Sequence, residues 1–273
     1  MNFEVGRRLG LAAALALTTI ASASAVDIAP HRALYSLTLD SAKAAGGVAG
    51  ASGGMYYEWG ETCDGWTVEQ RFRLRLLYSE EGAVDVNSTL VTWESKDGLR
   101  YRFNERRLRN GEVEDDIHGD AHLEGKDKAG VAAFEKPEQS TLTLAPNVLF
   151  PTAHTLVLIE RALAGDQFVS RKVFDGAAVE NAGQITAVIG PQLKPDPKAG
   201  KPLDNPLLQR PSWRMSLAFF PADAGASDSD TPDYELRMRL LDNGVSQEMS
   251  LDYGDYVLRA KLDEIEALPR PSC

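Results

Sequence analysis

Cysteine is almost missing from this 273-residue chain, which holds two, Cys63 and Cys273. No Cys-x-x-Cys and no zinc-ligand spacing occurs, and no basic residue adjoins either cysteine to activate it. Thiol catalysis is therefore not expected. Positive charge is also scarce. Lys and Arg number 29 against 40 Asp and Glu, a net charge of −11. Such a chain lacks the electrostatic term that dominates nucleic-acid binding, and as a whole it is repelled by anionic membrane surfaces. There is no phosphate loop, dinucleotide fingerprint or kinase set, so no cofactor is expected. After residue 20 no apolar run approaches the roughly 20 residues needed to span a bilayer.

What is present begins with an export signal. Arg7 and Arg8 precede the apolar run Leu9–Ile20, and Ala23-Ser24-Ala25 is a small-x-small cleavage site. This is the layout of a secretory leader covering residues 1–25, with an exported mature chain from Val26. That leader carries +1, so the mature chain carries −12. Residues 26–273 show no repeat and no forced boundary, and are read as one domain. Both cysteines follow the cleavage site, and an oxidising compartment favours pairing them, two free thiols being the alternative. A bridge would tie the last residue to an early strand. It would close a loop of about 210 residues, worth roughly 5 kcal/mol in the chain-entropy model.

Period-2 alternation dominates the mature chain. In one stretch Trp66, Val68, Phe72, Leu74 and Leu76 alternate with Thr67, Glu69, Arg71, Arg73 and Arg75. Leu99–Asn104 and Tyr234–Leu240 repeat the pattern. One wet and one apolar face mean antiparallel sheet. Asp97-Gly98, Asn110-Gly111, Gly125, Asp175-Gly176 and Asn243-Gly244 supply hairpin turns. The spacing predicts an all-β fold of about twelve to fourteen strands, too many to stay flat. One helix is expected over Ala153–Ala164, with Thr152 as N-cap and Gly165 just past its end. Leu156, Val157, Leu158, Ile159 and Leu163 make its apolar surface, set against the concave face of the sheet. Gly190–Pro211, with six prolines, and Pro221–Pro232 read as surface connections.

Three clusters invite chemical readings. Gly50-Ala51-Ser52-Gly53-Gly54 matches a nucleophile elbow in letters but reads as a flexible loop before a strand. Asp116, His118, Asp120, His122 and Glu124 would share one strand face, a conceivable metal row that equally suits an acidic protein's wet surface. His154 reads as a structural hydrogen-bonding group, and His31, at the head of the first strand, has no carboxylate near it in sequence to suggest a relay. Arg71, Arg73 and Arg75 with Arg100, Arg102, Arg106 and Arg107 could form an outer basic stripe, but pairing with Glu69, Glu94, Glu105 and Glu112 is favoured. No enzyme is expected.

His31-Arg32-Ala33-x-Tyr35-x-Leu37, Thr62-Cys63-Asp64-Gly65-Trp66, Phe150-Pro151-Thr152-Ala153-His154-Thr155, Val173-Phe174-Asp175-Gly176 and the closing Cys273 together resemble the periplasmic cell-envelope integrity protein B family, formerly of unknown function. The resemblance covers nearly the whole mature chain. It implies a many-stranded antiparallel β-spiral around a central α-helix, similar to periplasmic lipoprotein-carrier folds. It also implies a disulfide between Cys63 and Cys273, and a non-enzymatic role in envelope maintenance under stress. Two modes of action are open. One is a disulfide-stabilised scaffold contacting periplasmic or envelope proteins. The other is a carrier of an apolar ligand, lipid or lipoprotein, with Trp66, Phe72, Tyr101 and Phe103 lining its concavity.

Overall fold

The computed structural model describes residues 26–80, 82–195, 204–222 and 231–273. The expected leader and the centres of the two expected surface connections lie outside these residues. The chain forms β1 (His31–Ala42), β2 (Val48–Glu61), β3 (Gly65–Tyr78), β4 (Gly82–Ser95), β5 (Arg100–Arg109) and β6 (Glu112–Leu123). Next come β7 (Gly130–Lys136), β8 (Ser140–Leu144), β9 (Val148–Leu149), helix α1 (Pro151–Ala164), β10 (Phe168–Val173) and β11 (Gly183–Leu193). After them follow β12 (Ser212–Phe220), β13 (Tyr234–Leu241), β14 (Ser246–Asp252) and β15 (Tyr256–Ala267).

All fifteen strands join one sheet in the order β8-β7-β6-β5-β4-β3-β2-β1-β15-β14-β13-β12-β11-β10-β9. Every pairing is antiparallel except β9 with β10. The edge strands β8 and β9 are consecutive in sequence. Leu144 and Val148 are four residues apart and so lie within about 14 Å of each other. Here Asn181 Nδ2 reaches the Thr143 carbonyl at 3.4 Å. The sheet is therefore a nearly closed barrel, the curled fold that the alternation and the resemblance both anticipate. The strand total exceeds the expected range by one, and β9, two residues long, is too short to show alternation.

Gly50–Gly54 is the main correction to the strand map. It is not a loop but the middle of β2, with Ser52 opposite Thr38 and Arg75. The glycines are there for close approach: a Cβ on Gly53 would sit 2.1 Å from the Arg73 carbonyl oxygen. A straight strand gives Ser52 no elbow, so the hydrolase geometry is lost. The expected surface connection after Gly190 also starts late, since β11 runs on to Leu193, and a short 3-10 turn at Pro206–Leu208 buries Leu208.

Helix α1 lies on the concave side, where Leu158, Ile159 and Ala162 pack with Trp59, Trp66, Val169, Ala187 and Ile189. Two expectations fail here. Leu163 is 51% exposed. The N-cap is Phe150, in extended backbone, with Pro151 in the first helical position. Gly165 ends the helix as expected, at φ +86°.

Cys63 and Cys273 are joined, with Cα atoms 5.7 Å apart. The bond fastens the tail after β15 to the β2–β3 turn. Arg270 reinforces it, contacting Glu61 at 3.1 Å and Asp27 at 2.7 Å. Lys96, also paired with Glu61, places its ammonium 3.3 Å from the centre of the Trp66 ring.

Candidate functional site on the inner wall of the barrel

Register fixes which side chains point inward. Tyr57, Gln70, Leu90, Glu105 and Ile117 are successive cross-strand partners on β2 to β6. Beside them run Met55, Phe72, Ser88, Arg107 and Asp115. On the opposite wall Ala187, Leu217, Leu236 and Leu251 form a row, as do Ile189, Met215, Met238 and Met249. Much of this wall is only half-buried: Tyr57, Val68, Phe72, Leu90, Phe219, Leu236 and Met238 all keep contact with water. These inward apolar side chains pack against the core clusters yet are less completely shielded than the core itself.

The part beneath β5 to β9 differs. Tyr101, Phe103, Phe134, Phe150 and Phe174 are at most 3% exposed. Tyr101 stacks on Phe150 with ring centres 5.0 Å apart, and Phe103 meets Phe134 edge-on at 5.4 Å. The Tyr101 hydroxyl donates to the Asp175 carbonyl at 2.8 Å. Of the four aromatics expected to line a concavity, Trp66, Tyr101 and Phe103 are packed core and only Phe72 keeps partial contact with water.

Polar groups are set into this wall. Glu94, 2% exposed, ends the inward row of β4 and reaches the start of α1. Its two carboxylate oxygens accept the Thr152 and Ala153 backbone N–H groups, each at 2.7 Å. Those are orphan donors of the first helical turn, so β4 supplies the cap that Phe150 cannot. Burial pushes the Glu94 carboxyl up to about 7, against the two backbone bonds that favour its ionised form. Glu105 is buried too and raised above the usual carboxylate range by burial, with Arg107 opposing at 2.9 Å. Arg107 also contacts Asp115 at 3.2 Å. Asp175 keeps contact with water, yet protein crowds it closely enough to raise its carboxyl.

On α1 His154 is buried with no hydrogen-bond partner for Nε2 among the described residues. Burial, then the charge of Arg171, push it down to about 4, so it is neutral near pH 7. His31 is lowered by burial and hydrogen-bonds the Ala29 carbonyl at 2.7 Å. His31 is therefore a hydrogen-bonded structural group, whereas His154 does not make at Nε2 the hydrogen bond expected of it.

The remaining candidates disperse. Asp116, His118, Asp120 and His122 do share the outer face of β6, but each faces another strand's polar residue: Arg106, Asn104, Arg102 and Arg100. Lys136 holds Asp116 at 2.8 Å. Among the described residues no cluster of three or more His, Cys, Asp or Glu can hold a metal. The basic stripe is broken by pairs such as Arg71 with Glu69, and Arg107 points inward rather than outward. Glu94 does not pair with an arginine at all. It was misassigned because its cap partner is 58 residues away. One signal did mark it. Val84, Val86, Leu90 and Thr92 share its phase in β4, and an acid in the apolar phase of a strand is a buried acid.

The barrel, its internal helix and its tail clamp define a β-barrel-like protein of one lineage. The chain belongs to the EipB-like family, whose sequence model matches residues 22–269. It is 33% identical over 249 residues to the cell envelope integrity protein EipB of Brucella abortus (strain 2308), covering 90% of this chain and 86% of that protein. The crystal structure of a β-barrel-like protein of a domain of unknown function, also from Brucella abortus, aligns with a TM-score of 0.81 and 31% identity. That alignment covers 90% of this chain and all of the other.

Proposed function

We propose that the chain is a non-enzymatic periplasmic protein that supports cell-envelope integrity, exported by a leader cleaved after Ala25 and acting as a single disulfide-clamped domain, residues 26–273. The observation that carries this reading is the end-to-end similarity to a protein named for cell-envelope integrity. The inner acids fit a scaffold better than a reaction centre: Glu94 is used up in capping α1, and Glu105 is neutralised by Arg107. Contacts with envelope proteins are the proposed mode of action. The test is complementation of a bacterium lacking its EipB relative and sensitised to envelope stress. The whole chain should restore resistance, and a version lacking residues 1–25 should not. No rescue by the exported, folded chain would reject the reading.

A second mode has an observation of its own. The half-buried apolar wall around Phe72, Leu236 and Met238 suits a lipid or acylated ligand. A lipid-sized adduct on the protein purified from the envelope would favour a carrier over a scaffold.

A further inference from the structure

The outer face of β12 to β15 gathers positive charge at its centre. A groove of about 660 Å³ crosses it, flanked by the side chains of Arg214, Arg237, Arg239, Arg259 and Lys261. The carboxylates lining the same groove are Asp40, which contacts Arg259, and Glu248, which lies opposite Lys261. Glu235, Asp252 and Asp263, the last 3.7 Å from Lys261, stand just outside this lining, so the positive charge without a partner is concentrated at the centre of the groove. Arg237 touches Glu235 at 3.3 Å and Asp252 at 4.0 Å, at one border of the patch.

The central pair has no such relief. Arg214 and Arg239 are direct cross-strand partners on β12 and β13. Neither has a carboxylate within ion-pair distance among the described residues. Like charges placed directly opposite each other destabilise a sheet. Hydrogen bonds from Arg239 to Ser212 Oγ at 2.9 Å and to the Lys194 carbonyl at 3.5 Å hold its guanidinium in place rather than neutralise it.

A second feature lies on the same surface. Phe168, Val188, Ser216, Arg237, Ser250 and Arg259 are successive outward partners along one line from β10 to β15. Phe168 is 62% exposed and Val188 55%. Phe168 stands three strand spacings, about 14 Å, from Arg237, and an exposed aromatic on the same face as arginines and hydroxyls is the composition of a surface that meets lipid headgroups. An acidic protein would satisfy the arginines but give Phe168 and Val188 no reason to stand in water.

We infer that the outer face of β10 to β15 docks on a membrane surface bearing anionic phosphate headgroups. The arginines engage phosphates, and Phe168 enters the headgroup–acyl boundary. This orientation would turn the acidic remainder of the barrel away from the bilayer.

The test is flotation of the purified protein with phosphatidylglycerol-containing vesicles, and with phosphatidylcholine vesicles as control, at low and at 0.3 M salt. The control is stringent, because a chain of charge −11 is repelled by anionic vesicles unless the patch overrides that repulsion. Binding is expected for the anionic vesicles alone, and it should weaken steeply as salt screens the contact. Each arginine near an anionic surface is worth about five-fold in binding. The double variant Arg214→Gln with Arg239→Gln should therefore bind about 25-fold more weakly. Phe168→Ser should lose about three- to ten-fold. Phe168 and Arg214 are exposed, and at Arg239 the hydrogen bonds lost are offset by relief of the like-charge pair, so a melting temperature close to wild type is expected and separates lost binding from lost folding. The proposal is overturned by no binding at low salt, by equal binding to neutral vesicles, or by a double variant that binds like wild type. It is also overturned if polyglutamate captures the protein while vesicles do not, which would assign the patch to an acidic polypeptide. The envelope-integrity reading survives any of these results.

Discussion

Two regions of the concave face contrast. Under β5 to β9 five aromatic rings are sealed from water and stacked on one another, with the Tyr101 hydroxyl satisfied by a backbone carbonyl. Across the middle of the wall, Phe72, Leu90, Leu236 and Met238 belong to the same inward rows but remain half-wet. Sequence alternation treats both regions alike. The difference arises from what the chain lays over them. Phe150, at the entry to α1, and Phe174, after β10, close one region with bulky rings, whereas Phe72, Leu236 and Met238 pack only at the margins of the core clusters.

The largest way to disturb both regions is to release the frame they share. Reducing Cys63–Cys273, or replacing Cys63 with Ser, frees a loop with a sequence separation of 210. It should cost roughly 5 kcal/mol at most in urea unfolding, an upper value because the unfolded chain retains some structure.

Next is the contrast itself. Phe150→Ala opens a cavity within the sealed cluster and should cost about 3–5 kcal/mol. Phe72→Ala removes a side chain that water already reaches and should cost about 1–2 kcal/mol. Equal losses in urea titrations of the two variants would erase the distinction between filled and open wall.

Glu94 gives an intermediate effect that depends on pH. A carboxyl raised in the folded protein to about 7 from its ordinary 4.5 holds its proton more tightly when folded. Its contribution to stability is full below pH 4.5 and is lost as pH rises toward 7, by about 3 kcal/mol. His154 works the other way. Lowered to about 4 from 6.5, it contributes stability that is full above pH 6.5 and lost as pH falls toward 4. The two slopes oppose each other between pH 4.5 and 6.5. Relative to wild type, Glu94→Gln should therefore gain stability as pH rises from 4.5 to 7, and His154→Gln should lose it from 4 to 6.5. Chemical denaturation across pH 4–7.5 reads both. Parallel curves for the variants and wild type would mean that neither group is held as described.

The smallest effect is expected at Met238, a flexible side chain in the half-wet row. Met238→Leu should shift the unfolding midpoint by less than about 1 kcal/mol.

Much of this architecture was legible in the chain. The alternation of Trp66–Leu76 and Tyr234–Leu240 placed two strands and their faces, and the Asn-Gly and Asp-Gly pairs marked turns. Gly165 marked the end of α1. Other features were hidden for physical reasons. Glycine has no side chain to alternate, so Gly50–Gly54 looked like a loop while serving as a strand whose neighbour comes too close for a Cβ. Thr152 looked like a cap because capping is usually local, but the acid that does it comes from β4. Arg107 looked like part of a surface stripe, although its odd number places it in phase with Tyr101 and Phe103, facing inward. The facing of Arg214 and Arg239 across β12 and β13 is invisible in composition, because it depends on which strands become neighbours.

The scaffold account is tested most directly by native mass spectrometry of the protein purified from the envelope, with thiol alkylation before and after reduction. It predicts a chain two hydrogens lighter than the reduced form, both cysteines unreactive until reduced, and no co-purifying adduct. A lipid-sized adduct would contradict it in favour of a carrier, and thiols that react before reduction would remove the clamp on which the scaffold rests.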